Sequence, residues 1–110
     1  MIVSRKLGPS DQAALETFLK AHRDTSMFLR SNLSRSGISY RPEPFHADYT
    51  GGYRDLELVG VVAHCWNGML LLQAPESAGE LARACVRHSG RRVAGFSGPA
   101  DQVREARAAL

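Results

Sequence analysis

"LELVGVVAHCWNGMLLLQA", residues 56–74, decides the fold. Leucine, β-branched and aromatic residues crowd both halves, and Asn67-Gly68 separates them. That dipeptide between apolar runs is the strongest short hairpin signal and predicts a turn with positive φ at both central residues. The first run is apolar at nearly every position, so both faces of its sheet are expected to be covered. Within it His64 alternates with Val62 and Trp66 along one face. It reads as a satisfied core histidine, with a general base as the sharper alternative.

Working outward, "YTGGY" (49–53) reads as the preceding strand and "IVSRKL" (2–7) as the first. Between them "GPSDQAALETFLKAH" (8–22) predicts a helix with Pro9 at its first position and Asp11 in its positive first turn. Leu15, Phe18, Leu19 and His22 mark its inner face. "DTSMFLRSNLSRSG" (24–37) predicts a second helix, capped by Asp24 or Thr25 and ended by Gly37. "ISYRPEPFHAD" (38–48) has two prolines and no period, so it reads as a connecting loop. Downstream, "PESAGELARACVRHSG" (75–90) predicts a third helix, "RRVAGFS" (91–97) a fifth strand and "GPADQVREARAAL" (98–110) a fourth helix. The class is α/β, in the order β-α-α-β-β-β-α-β-α, with helices on both faces of a mixed sheet.

The 110 residues read as a single domain, 1–110, large enough for a real core. No run approaches a membrane span and the first residues lack a signal-type apolar core, so a cytoplasmic setting is expected. The net charge of +3 comes from twelve arginines and two lysines, scattered over successive helices. Without a basic stripe interleaved with aromatics, nucleic acid is not the expected partner.

"GFSGPADQ" (95–102) has three readings: a nucleophile turn, a phosphate loop, or a plain strand-to-helix turn. Pro99 stands where a nucleophile elbow needs glycine, and neither a histidine nor an acid can be assigned to Ser97. Pro99 also lacks an N–H for an anion, and Asp101 would repel one. "GPSDQ" at 8–12 returns as "GPADQ" at 98–102, which makes this mainly turn chemistry. Cys65 and Cys85 form no C-x-x-C; Cys85 shares a helical face with Leu81 and His88 and reads as a small core residue. His22, His46, His64 and His88 lack metal-ligand spacing, so no metal is expected. His22 and His88 end helices, where a cation is favourable. Tyr40, Phe45, His46 and Tyr49, with Asp48, cluster around the irregular loop. They are either aromatic anchors of a solvated loop or one wall of an acceptor pocket. No catalytic residue is assigned.

The order of elements resembles the GNAT superfamily of acyl-CoA-dependent N-acetyltransferases. More narrowly, "DTSMFLRSNLSRSG", "LVGVVAHCWNGMLLLQAP" and "VAGFSGPADQV" look like the N-terminal segment of bacterial two-part acetyltransferases, in which an intact GNAT domain follows in the same polypeptide. The resemblance implies acetyl-CoA as cofactor of the full-length family. A working GNAT domain carries Q/R-x-x-G-x-G/A between its fourth strand and third helix, where glycines admit the coenzyme pyrophosphate. The matching stretch here is "QAPESA" (73–78): Gln73 and Ala78 fit the first and last positions, Glu76 replaces the first glycine and Pro75 removes a donor. Binding of acetyl-CoA by this chain alone is therefore not expected.

The resemblance thus implies an accessory, acceptor-side domain of an acetyltransferase. A self-sufficient acetyltransferase is a second reading, and a free-standing, non-catalytic ligand-binding or dimerisation module a third. Without the last two strands of a full domain, "RRVAGFS" is expected to be an open edge, with Arg91 and Arg92 guarding its start. Val103, Ala106, Ala109 and Leu110 would then want a partner: a catalytic domain in cis, or a second copy in a homodimer.

Overall fold

The computed structural model describes all 110 residues, Met1–Leu110. The segment Glu57–Cys65 is a strand with a core on each side: Val61 and Val62 are consecutive, fully buried, and belong to different clusters. Successive side chains on a strand point to opposite faces, so near-continuous apolarity follows from helices covering both. Around this strand, β3, lie β1 (Val3–Lys6), β2 (Ala47–Arg54), β4 (Met69–Gln73) and β5 (Gly95–Ser97). The helices are α1 (Gln12–Ala21), α2 (Met27–Ser36), α3 (Ala78–Ser89) and α4 (Ala100–Ala109), with a 3-10 turn at Pro9–Asp11.

The strands are ordered β1-β2-β3-β4-β5 in one open mixed sheet, antiparallel from β1 to β4 and parallel between β4 and β5. On one face α1 and α2 bury Leu15, Leu19, Leu29 and Leu33 against Tyr49, Val61 and Ala63. On the other, α3 and α4 bury Leu81, Cys85 and Ala106 against Val62, Leu70 and Leu72. Leu15, Phe18 and Leu19 follow the three- and four-residue spacing of an inner helix face.

Several local expectations are corrected. The β3–β4 turn has positive φ at Gly68 (+89°) alone, while Asn67 keeps a negative φ. Gly68 N–H bonds the Cys65 carbonyl at 2.9 Å, so Trp66 and Asn67 form the turn and Gly68 takes the bulge position of a three-residue loop. Trp66 sits in that turn and packs on the α1/α2 side, away from Val62, instead of sharing its face. Strand β2 starts at Ala47, so Asp48 leaves the loop for the sheet. Ser26, not Asp24 or Thr25, occupies the N-cap position of α2, and its hydroxyl donates back to the carbonyls of Leu19 and His22 (2.9 and 2.8 Å). Only the last three residues of "RRVAGFS" pair with β4. A strand that short limits the edge it offers. The inner face of α4 is also partly covered within the chain: Ala106 is fully buried and Val103 packs on the second core.

No helix is long and apolar enough to cross a membrane.

Candidate functional site

The connection from β4 into α3 is built by side chains of α4. Gln102 accepts a hydrogen bond from the Ala74 N–H at 2.7 Å, and Glu105 accepts one from the Gly79 N–H at 2.8 Å. A helix start leaves its first N–H groups unsatisfied and carries the positive end of the helix dipole. Ser77 at the N-cap makes no side-chain cap bond, so the Glu105 carboxylate performs that task from a neighbouring helix. Glu76 turns outward to an ion pair with Arg54, which holds its carboxyl below the usual carboxylate range. Gln73 is buried and accepts a 2.6 Å hydrogen bond from Thr25, tying β4 to the α1–α2 connection; Ala78 is fully buried. The β4–α3 connection is therefore tied to α4 at Ala74 and Gly79, with an acid of the chain itself at the helix start.

The two Gly-Pro-x-Asp-Gln turns use different residues. In the first, Asp11 is buried, accepts from Gly8 N–H at 2.9 Å, and takes both guanidinium nitrogens of Arg5 at 2.8 and 3.0 Å. Hydrogen bonding from Arg5, then from Gly8, holds Asp11 below the ordinary aspartate value. In the second, Asp101 is exposed and Gln102 is the buried, bonded residue. Ser97 ends β5 without any side-chain hydrogen bond, and no histidine reaches it. At Gly98 (φ +153°) a Cβ would lie 2.8 Å from the Leu72 carbonyl oxygen, so the glycine serves close packing of β4 on the turn.

Tyr40, Phe45, His46 and Tyr49 divide into two places. Tyr49 is buried in the α1/α2 core with its hydroxyl unpaired, and burial pushes its pKa well above the ordinary tyrosine value. The other three lie at the end of the sheet where β3 turns into β4. Phe45 (φ +72°) packs on Trp66 with ring centres 5.1 Å apart and beneath Arg35 at 4.2 Å. Tyr40 lies under the Arg91 guanidinium at 4.1 Å, and His46 Nδ1 is 3.1 Å from the Ser39 carbonyl.

Arg91 is a residue that sequence reasoning assigned to protecting a strand edge. Its guanidinium instead donates to Asp48 Oδ2 (2.9 Å) and to the carbonyls of His64 (2.7 Å) and Cys65 (2.8 Å). His64 is fully buried: Nδ1 is 2.6 Å from Ser89 Oγ and Nε2 is 3.1 Å from the Arg92 carbonyl. Since a carbonyl can only accept, Nε2 carries the hydrogen and Nδ1 accepts from Ser89. Both cysteine thiols are buried, pushed up to about 11 at Cys65 and about 12 at Cys85, so neither is a thiolate at neutral pH. His88 pairs with Thr50 Oγ1 at 3.0 Å. Partial desolvation, then Arg87 and Lys6, hold it below the ordinary histidine value.

Two open spaces flank the sheet. A cleft of about 680 Å³ runs between α1 and the start of β3, walled by Ala14, Phe18, Leu58, Pro75 and the tip residue Leu56. A smaller groove of about 310 Å³ lies at the carboxyl end of β5, between Thr25, Met27 and Phe28 and the Ser97–Pro99 turn. The carboxyl ends of parallel strands are where open α/β sheets usually admit ligands. Comparison with protein-family models, with curated proteins and with solved structures finds no match to this chain.

Proposed function

We propose that this chain is an accessory, acceptor-side domain of a GNAT-superfamily N-acetyltransferase, one that leaves coenzyme binding to a catalytic GNAT domain in the same polypeptide. The reading rests on the resemblance of its sequence. It draws support from the helix pair between β1 and β2, the antiparallel run β1–β4 and the parallel β4–β5 pair.

The observation that carries the coenzyme-poor part is the Glu105 carboxylate on Gly79 N–H. Acetyl-CoA binding of the superfamily type needs free backbone donors at the start of α3 for a pyrophosphate. Here one donor is bonded to an internal carboxylate, Pro75 has none to give, and Glu76 adds negative charge. These residues do not fit the coenzyme, and no acyl-transfer step is assigned to them.

Calorimetric titration of the chain with acetyl-CoA is the direct test. No saturable heat is expected up to about millimolar ligand, and a micromolar dissociation constant would overturn the proposal. The partner in this reading is the catalytic domain, or a second copy meeting the β5 edge. Light scattering over a concentration series tests the second copy. The alternative, a free-standing binding or dimerisation module, is favoured by the cleft beside α1. A source reading frame that continues into a GNAT domain would decide against that module.

A further inference from the structure

The polar groups beneath the end of α3 form one connected cluster, and its charges are unevenly matched. His64 and Asp48 are direct cross-strand partners on β3 and β2, and both are buried. Asp48 is the cluster's only carboxylate and faces two cations: Arg91 at 2.9 Å and Lys6 of β1 at 3.5 Å. Strand β4 opposes His64 with apolar Leu70. Strand β2 adds Thr50, which is bonded to His88 of α3. Helix α3 further presents Cys85, whose thiol donates to the carbonyls of Val62 and Asp48, and Ser89, which bonds His64. Beyond α3, Arg91 supplies the guanidinium and Arg92 the carbonyl.

Arg91 is the mechanical link in this cluster. It joins the 90–94 segment to the ends of β2 and β3, and it covers Tyr40 of the 37–46 loop. Its Nε is buried without a partner, so one carboxylate, two carbonyls and one ring hold it. With His64 neutral, two cations share one carboxylate. An imidazolium would add a third positive charge, fully buried, with the guanidinium bonded to that residue's own carbonyl. Like charges at that range in a low-dielectric site repel strongly, and Arg91, whose side chain is partly exposed while His64 is fully buried, is the partner that can turn to solvent.

We propose that His64, Asp48 and Arg91 form a pH-sensitive latch: protonation of His64 expels the Arg91 guanidinium and frees the 37–46 loop from the 90–94 segment while the sheet stays folded. Burial, then Arg91, hold His64 below the ordinary histidine value, so the latch is closed at neutral pH. Release uncovers the Tyr40 ring at the end of the sheet that also carries the packed Phe45–Trp66 pair.

The test uses Trp66, the chain's single tryptophan, as reporter. Its emission, far-UV circular dichroism and the His64 ring proton resonances are followed from about pH 8 to about pH 4. A reversible emission step is expected below the ordinary histidine range, with unchanged circular dichroism, coincident with titration of the His64 ring. His64→Gln is expected to abolish the step, whereas His46→Gln and His88→Gln retain it. The proposal is overturned if the ring titrates without the step, if the step comes without the ring, or if either control removes it. A step that persists in His64→Gln also overturns it. Should His64→Gln fail to fold, the coincidence of ring and emission in the unaltered chain decides.

Discussion

Glu105, in the middle of α4, closes the N-terminus of α3 by accepting the Gly79 N–H at 2.8 Å. Gly79 is buried, and a Cβ there would lie 3.2 Å from the Glu105 carbonyl oxygen and 3.1 Å from Ala109 Cβ. Close approach of the two helices and capping by the carboxylate therefore depend on each other. Glu105→Ala leaves a buried donor without a partner and removes a charge from the positive end of the helix. The expected loss is about 1 kcal/mol, with Glu105→Gln losing less because an acceptor remains. Urea denaturation of the two variants checks it.

The turn at Ser97–Pro99 separates a structural glycine from a replaceable serine. Gly98→Ala puts a methyl 2.8 Å from the Leu72 carbonyl oxygen at a φ of +153°, and neither backbone can yield cheaply. It is expected to cost more than about 2 kcal/mol. Ser97→Ala, which removes no hydrogen bond, is expected to stay within about 0.5 kcal/mol. Thermal melts of both read the difference, and a large effect at Ser97 would show that its hydroxyl makes a structural bond.

Gly68 is constrained twice. Its φ of +89° is strained for a β-branched residue, and a Cβ would meet Ala94 Cβ at 2.8 Å. Gly68→Val is expected to destabilise by about 1–3 kcal/mol and to loosen the Ala94 N–H bond to the Gly68 carbonyl, now 2.8 Å. Amide exchange at Ala94 should accelerate along with the drop in melting temperature.

Asp11 provides a pH-dependent contribution of definite sign. Arg5 and Gly8 N–H lower its pKa in the folded state, so its stabilisation is fully present above the unfolded aspartate value. It is lost as pH falls through the folded value. Asp11→Asn is expected to cost about 1 kcal/mol at neutral pH, the scale of a lost helix cap. The difference from the unaltered chain should shrink below the ordinary aspartate range. Denaturant midpoints across the acid limb check both parts, and a constant offset would contradict the linkage.

His64 and Ser97 mark the boundary between what residue order can carry and what folding must supply. The two-sided apolar run of β3, the Leu15–Phe18–Leu19 helix face and the glycine ends of α2 and α3 are local patterns, because burial and backbone freedom impose a period or a residue type within a few positions. From them the chain's order of strands and helices follows, and so does a sheet covered on both faces. The turn types were only half readable: Asn67-Gly68 signals a hairpin, but whether Gly68 is a central or a bulge residue depends on how β4 registers against β3. Pairing across the sequence left no such pattern. Glu105 finds Gly79 26 residues away and Arg91 finds Asp48 43 residues away, and nothing near either residue specifies its partner. Those contacts are set by the packing of α3 on α4 and by the register of β2 on β3. Tertiary structure alone therefore decided that a glutamate closes the helix start and that Arg91, read as guarding an edge, locks the end of the sheet.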